Sequence, residues 1–135
     1  MSAVDAAKVW SLNYRVLLSV VSCVEADISA LGLDSKELFL LAEVDEHPYP
    51  AELAATLSMP KATVTVYLKR LEAAGFVRRE IDTADLRRHR LLLTPAGRQA
   101  TKEGLALLSN AFNKRLERLT IAQQTELKKL LEQIV

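Results

Sequence analysis

The sequence is poor in the residues that covalent cross-links and flexible segments require. It has one cysteine among 135 residues, so no disulfide can form within the chain, and a reducing compartment, the cytoplasm, is expected. Glycine and proline number four each, half of the residues are hydrophobic and 26% are charged. This composition excludes a disordered chain and favours a helix-rich globular one. At this length we expect one domain over residues 1–135.

Catalytic and metal-binding patterns are also lacking. The only two histidines, His47 and His89, lie far apart without the spacing of metal ligands. The sequence contains no glycine-rich phosphate loop and no nucleophile elbow. We therefore predict that the protein is not an enzyme and has no catalytic residue, no metal and no cofactor.

Long apolar runs are absent too. The apolar stretch at residues 16–21 is far shorter than the roughly 20 residues that a membrane span needs. A short signal sequence ending in a lipid-attachment cysteine, Cys23, is the alternative, but Asp5, Asn13 and Arg15 interrupt the pattern of such a leader. We expect no membrane partner. Cys23 has Glu25 and no basic residue beside it, which predicts an inert thiol in the core.

The two signs of charge are unevenly distributed along the chain. Residues 1–58 carry three Lys or Arg against nine Asp or Glu, a net −6. Residues 61–98 carry nine against four, a net +5, and residues 99–135 carry six against four, a net +2. Clustered basic residues favour phosphate binding through counterion release, even in a chain whose total is only +1. A solvated charged surface is the alternative interpretation of segment 61–98.

Both ends of the chain are predicted to be helical. Residues 4–31 contain no glycine or proline and carry apolar residues on more than one face, which implies a partner chain that covers them. A second long helix is predicted from Pro95 to about Leu119, followed by a capping box at Thr120 and Gln123 that begins a last helix. The apolar positions at helical spacing in the second helix are Leu105, Leu108, Phe112, Leu116 and Leu119. We predict that the helices in 4–31 and 95–135 form a homodimer.

The middle of the chain has the order helix, tight turn, helix, hairpin. A helix at 35–44 follows a capping box, and a short helix at 50–57 is joined by a three-residue corner to a helix at 61–74 that ends at Gly75. Strands at 76–81 and 90–94 then flank a polar turn. The predicted fold class is mainly α with a small β-hairpin wing: a winged helix-turn-helix lobe over residues 34–94, flanked by N- and C-terminal dimerisation helices.

An α-helix fits the major groove of B-DNA, and arginine is attracted to a narrow minor groove. The helix at 61–74 therefore predicts base and phosphate contacts from its exposed face, and the basic hairpin predicts contacts beside it. The candidate DNA-binding residues are Lys61, Thr63, Thr65, Val66, Lys69, Arg70, Arg87, Arg88 and Arg90. A winged-helix module that binds another protein without sequence-specific DNA binding is the alternative, because fold alone does not establish function.

These motifs resemble the multiple antibiotic resistance regulator (MarR) family of bacterial transcription factors. Residues 53–57 are similar to its first DNA-reading helix, residues 63–77 to its recognition helix and exit into the wing, and Asp85-Leu86-Arg87 followed by residues 91–97 to its wing signature. The resemblance implies a cytoplasmic repressor that binds a pseudo-palindromic operator as a homodimer, with Arg87 in the minor groove and Asp85 bracing the wing. Leu86 and Pro60 depart from the pattern of many members.

The resemblance also implies a small lipophilic effector, because family members often bind one between the dimerisation helices and the DNA-binding lobe. Trp10, Tyr14 and Phe39 are the candidate residues of such a pocket. The alternative interpretation is that these aromatic side chains fill the core.

Overall fold

The structure is a computed structural model that describes residues 3–135. This part of the chain forms six helices and a two-stranded hairpin: α1 (Ala6–Ala30), α2 (Ser35–Glu43), α3 (Pro50–Thr56), α4 (Lys61–Ala73), β1 (Val77–Ile81), β2 (His89–Leu93), α5 (Pro95–Leu116) and α6 (Ile121–Ile134). The predicted fold class is confirmed, and each predicted element lies within a few residues of its observed bounds. No single helix in the described part is both long and apolar enough to span a membrane. Helices α1 and α2, which are bent by 85° relative to each other, have the required length and composition only when they are taken together.

Two helices begin at capping boxes, and a left-handed glycine follows the end of a third. The Asp34 carboxylate accepts from the backbone N–H of Glu37, and the Glu37 carboxylate accepts from that of Asp34, a capping box that begins α2. Thr120 and Gln123 make the same pair of bonds at the start of α6. Gly75 has φ +82° just after α4, the left-handed conformation that terminates helices. Both predicted capping boxes are confirmed.

The chain contains two compact units. One consists of the chain as far as Val24 together with Leu107–Val135, and the other is Glu25–Ala106. The second unit holds α2, α3, α4 and the hairpin around an apolar core. Its fully buried apolar side chains include Ile28, Leu38, Leu40, Leu41, Val44, Leu53, Val64, Leu68, Leu71 and Leu91.

Small residues line the buried face of α5. The residues of this helix that are buried are Gly97, Ala100, Thr101 and Gly104. A Cβ at Gly104 would fall 2.5 Å from Cδ1 of Leu38, and one at Gly97 would overlap the carbonyl oxygen of Phe76. Small residues therefore pack the first part of α5 within the second unit, whereas Leu105, one of the apolar positions predicted from helical spacing, is 42% exposed.

The first unit has a large uncovered apolar surface. No residue of α6 is buried. The large apolar side chains of α1 from Val9 to Leu18 are between 40% and 54% exposed, except for Trp10, which is 67% exposed. Within this unit an open groove of about 640 Å³ is lined mainly by apolar residues. They include Val9, Leu12, Val16, Phe112, Leu116, Leu119, Leu127 and Leu131.

The expectation that Cys23 lies in the core is wrong for the single chain, where this residue is exposed. The buried positions of the same helix are Val20, Val24 and Ile28, which follow one another at four-residue spacing. Cys23 precedes Val24 by one residue, or about 100° around the helix, and so turns away from that stripe.

Candidate nucleic-acid interface

Helix α4 has one buried face and one open face. Val64, Leu68 and Leu71 are fully buried and fix the helix against the core. On the other side Val66 is 66% exposed, and Thr65 and Lys69 are also exposed. A left-handed Ser58 (φ +52°) makes the corner between α3 and α4, and Pro60 is the N-cap residue of α4.

The predicted base-contacting side chains of α4 differ in their environments. Thr63 is half-buried, whereas Val66 presents its methyl groups to solvent. The Thr65 hydroxyl donates a 3.0 Å hydrogen bond to the carbonyl oxygen of Lys61, one turn earlier. Its oxygen therefore offers acceptor lone pairs outward, so in this rotamer Thr65 suits a base-edge amino donor.

Arg70 lies in the last turn of α4, and its guanidinium pairs with a buried carboxylate. Its Nη2 lies 2.5 Å from Oε1 of Glu37, a carboxylate whose side chain is only 1% exposed. Burial raises the pKa of Glu37, and the Asp34 amide and the Arg70 guanidinium act in the opposite direction. The Arg70 side chain is 58% exposed, so it lies at the protein surface while it is engaged by a buried partner.

The wing is a short antiparallel hairpin fixed at its base. Val77 pairs with Leu93 and Ile81 with His89 at the two ends of the ladder. The Leu91 amide donates a 2.8 Å hydrogen bond to the carbonyl oxygen of Pro48, which joins β2 to the segment before α3. In the middle of β1, the Arg79 guanidinium forms an ion pair with Glu72 of α4. The wing and α4 are therefore linked directly by side chains as well as by the chain.

The predicted bracing residue Asp85 lies at the wing tip and contacts Arg87. One oxygen of its carboxylate accepts from the Arg87 backbone N–H at 3.0 Å and from its Nε at 3.2 Å. The Arg87 side chain is 91% exposed despite this contact. Asp85 thus fixes the backbone and the base of the side chain while the guanidinium stands in solvent.

Arg88, the next residue, turns toward the protein. Its guanidinium carbon lies 3.5 Å from the ring centroid of Tyr49, and Nη2 is 3.8 Å from Oε1 of Glu52 in α3. The Tyr49 hydroxyl donates a short hydrogen bond to Asp82. This bond lowers the pKa of Asp82 and raises that of Tyr49, so at neutral pH the pair is a carboxylate that accepts from a phenol.

The six basic candidate residues differ in whether they have a partner within the protein. Within residues 3–135, Lys61, Lys69 and Arg90 take part in no ion pair, and all three are exposed. Arg70, Arg87 and Arg88 form ion pairs with Glu37, Asp85 and Glu52. The contacts of Glu37 with Arg70 and of Tyr49 with Arg88 were not predicted from the sequence.

The aromatic residues proposed for an effector pocket lie in different units. Trp10 and Tyr14 stack on each other with ring centroids 5.8 Å apart, and they are 67% and 47% exposed. Phe39 is half-buried in the other unit. None of the three lines the apolar groove of the first unit.

One group of side chains has the composition of a metal site. Glu43, Glu46 and His47 bring ligand atoms within 4.8 Å of one another at the end of α2. His47 also lies 3.9 Å from Glu43 and 4.0 Å from Glu52. Ordinary surface charge pairing accounts for this group, and we assign no metal to it.

Comparisons with known proteins agree with this architecture. The family model described as MarR family matches residues 31–88. The HTH-type transcriptional repressor Rv2887 of Mycobacterium tuberculosis is 34% identical, with 99% of this chain and 98% of the relative covered. The HTH-type transcriptional repressor Mb2911 of Mycobacterium bovis matches with the same identity and coverage.

Solved structures match along most of the chain. The crystal structure of Rv2887 in complex with salicylic acid has a TM-score of 0.73 at 34% identity, covering 92% of this chain and 93% of that one. The transcriptional regulator SlyA gives 0.82 at 19% identity over 93% and 90% of the two chains, a similarity of fold alone. With a relative 34% identical over nearly its whole length, the chain belongs to the MarR family.

Proposed function

We propose that this protein is a transcriptional repressor that binds a pseudo-palindromic operator as a homodimer, in the cytoplasm of a bacterial cell. The observation that carries the proposal is the open basic surface formed by α4 and the wing. Its outward side chains include Val66, Lys69 and Arg87, and the last of these is 91% exposed. The repressor names of the mycobacterial relatives support the same function.

The two parts of this surface suit different grooves of DNA. Helix α4 turns Thr65 and Val66 outward, short side chains that can meet a base edge and a thymine methyl group in the major groove. Lys61 and Lys69 flank them and suit the phosphates on either side. Arg87, at the tip of the wing, suits the narrow, strongly negative minor groove. Direct base contacts thus belong to α4, and recognition of groove shape belongs to the wing.

Dimerisation is part of the proposal because one chain leaves so much apolar surface uncovered. Ile121 and Ile134 of α6 are 81% and 77% exposed, and Trp10 of α1 is 67% exposed. Contiguous apolar surfaces of this kind are rare on monomers and typical of interfaces between subunits. A two-fold dimer would place two recognition helices about 34 Å apart, one turn of DNA, which explains the expected pseudo-palindrome.

An effector is the third part of the proposal. The relative Rv2887 has been solved with salicylic acid and with p-aminosalicylic acid. We propose that a small aromatic acid of this kind releases the present protein from its operator, and Trp10, Tyr14 and Phe39 stay the candidate pocket residues. Calorimetric titration with salicylate checks binding, and a gel-shift assay in the presence of salicylate checks release.

The experiment that tests DNA binding is selection of duplexes from a random library. We expect enrichment of a two-fold symmetric site with half-sites about one helical turn apart. Binding to that site should weaken with salt, because phosphate contacts release counterions. The variant Arg87→Ala should lower the slope of log Kd against log salt concentration by about one. The matched control is Lys102→Ala, which removes one exposed positive charge from α5, outside the proposed surface.

Each part of the proposal has an outcome that contradicts it. Failure to enrich any symmetric site, together with residual binding that is insensitive to salt, would favour the protein-binding alternative. A mass of 15.0 kDa instead of twice that value, measured by sedimentation at micromolar concentration, would overturn the dimer. Unchanged salt dependence in Arg87→Ala would remove the wing tip from the interface.

A further inference from the structure

One aromatic side chain outside the DNA-facing surface holds both ends of the wing loop. The loop between β1 and β2 runs from Asp82 to Arg88. Tyr49 donates its hydroxyl to Asp82 at the first end, and its ring lies under the Arg88 guanidinium at the last end. The Asp82 amide also donates to the Arg88 carbonyl oxygen at 2.9 Å, so the two ends are joined to each other and to Tyr49.

The loop needs such a support because little else orders it. An isolated two-stranded hairpin is marginally stable in water. Most residues of the loop are exposed, including Leu86 at 76%, so apolar burial contributes little to its order. The hydrogen bonds within the loop are short-range: the Ala84 amide donates to Asp82, and the Arg87 amide donates to Asp85. The Tyr49 side chain contacts both ends of the loop from a different part of the fold.

Tyr49 is itself well placed to be rigid. It is the N-cap residue of α3, between Pro48 and Pro50, whose rings restrict the backbone on both sides. The Pro48 carbonyl accepts from Leu91 of β2, which fixes the same segment to the body of the wing. Glu52, one turn into α3, lies 3.8 Å from Arg88 and favours the inward position of that guanidinium.

We propose that Tyr49 is a positioning residue for DNA binding, a wing anchor that through Asp82 and Arg88 presents Arg87 to the minor groove. Arg88 belongs to this anchor and is not a phosphate contact. The proposal rests on the proposed DNA-binding function. Its physical basis is preorganisation: a loop that is ordered before binding loses less conformational entropy when it enters the groove.

The test compares variants of the anchor with a variant of the wing tip. Tyr49→Ala removes both contacts, Tyr49→Phe removes only the hydroxyl, and Arg88→Ala removes only the cation. We expect Tyr49→Ala and Arg88→Ala each to weaken binding to the selected duplex by about 3- to 30-fold, the range between an exposed and a desolvated cation–aromatic contact. Tyr49→Phe should lose less, because the ring under Arg88 remains.

The salt dependence separates an anchor from a phosphate contact. Arg88→Ala should leave the salt slope unchanged, whereas Arg87→Ala lowers it by about one. The double variant Tyr49→Ala/Arg88→Ala should bind no more than about two-fold more weakly than the worse single variant, because both changes break the same support. Lys102→Ala again serves as the control for loss of one exposed charge.

Hydrogen exchange in the DNA-free protein tests the anchor without DNA. The amides of Ala84, Arg87 and Arg88 should exchange faster in Tyr49→Ala, while amides in α2 stay protected. Unchanged exchange at the wing, or a salt slope lowered by about one in Arg88→Ala together with normal binding by Tyr49→Ala, would overturn the proposal. If the wild-type protein binds no duplex, the proposed function and the positioning role fail together, and exchange still decides whether Tyr49 anchors the wing.

Discussion

The carboxylate of Glu37, buried at the start of α2, lies 2.5 Å from the guanidinium of Arg70 on the recognition helix α4. The same carboxylate oxygen accepts the Asp34 amide at 2.9 Å, so one atom caps α2 and pairs with α4. The ion pair thereby fixes the end of α4 relative to α2. Arg70 was predicted to bind DNA, and its partner inside the protein gives it a second role in holding the helix that reads the DNA.

Removing Arg70 should cost stability. Arg70→Ala leaves the buried Glu37 carboxylate with the Asp34 amide as its hydrogen-bond partner, and an unsatisfied buried polar group costs about 1–3 kcal/mol. We expect a loss near the lower end, because protonation of Glu37 relieves part of the cost. Urea unfolding at one fixed protein concentration measures it. Lys69→Ala, on the same helix but without an ion pair, should change the free energy of unfolding by less than about 0.5 kcal/mol. Equal stability of the two variants would contradict the role of the pair.

Glu37 should also make stability depend on pH. Burial raises its pKa in the folded chain above the ordinary value of 4.5, so between the two values the folded chain holds more protons than the unfolded one. Its stabilising contribution is fully present below pH 4.5 and is lost as pH rises through the raised value.

The variant Glu37→Gln keeps an acceptor and has no proton to lose. The free energy of unfolding of the wild type minus that of Glu37→Gln should therefore fall as pH rises across this window. The slope for one proton is at most about 1.36 kcal/mol per pH unit. Urea titrations at several pH values measure the difference, and parallel curves for the two proteins would contradict the prediction.

The glycine at the start of α5 is required by a close approach of backbones. A Cβ at Gly97 would overlap the Phe76 carbonyl oxygen, which accepts the Thr94 amide at the base of the wing. Gly97→Ala must therefore displace backbone, and we expect it to destabilise the protein by about 3 kcal/mol in urea unfolding, the upper end for overpacking. The control is Gly75→Asn. Gly75 is left-handed with open space around its Cβ position, and asparagine tolerates that conformation at a cost below about 1 kcal/mol. Equal losses would show that backbone conformation, and not the close approach, matters at both positions.

Sequence patterns predicted those parts of the fold that depend on near neighbours. The capping boxes at Asp34 and Thr120 and the left-handed Gly75 are set by residues three or four positions away, and all were predicted. The buried stripe of α4 followed from its helical spacing in the same way. The small-residue face of α5 was not predicted, because Gly97 and Gly104 are buried by contact with distant residues and carry no hydrophobic signal.

The candidate site shows the same division between local and distant contacts. The pairing of Asp85 with Arg87 is local, and the wing motif indicated it. The contacts of Arg88 with Tyr49, 39 positions earlier in the chain, and of Arg70 with Glu37, 33 positions earlier, depend on the tertiary fold. A basic residue in a basic segment has the same appearance in a sequence whether it faces DNA or an internal partner, so the nine candidates could not be sorted before their environments were known.

Thr65 offers a test of which residues of α4 read bases. Its hydroxyl donates to the Lys61 carbonyl, which leaves its oxygen available to accept from a base amino group. Thr65→Val keeps the shape and removes that oxygen, so it should alter preference at one base position by about 1 kcal/mol. Lys69→Ala should instead weaken binding to every sequence and lower the salt slope by about one. Competition among single-base variants of the selected duplex measures both effects. An equal loss on all duplexes for Thr65→Val would assign Thr65 to the DNA backbone, and a loss confined to one base for Lys69→Ala would make Lys69 the residue that discriminates.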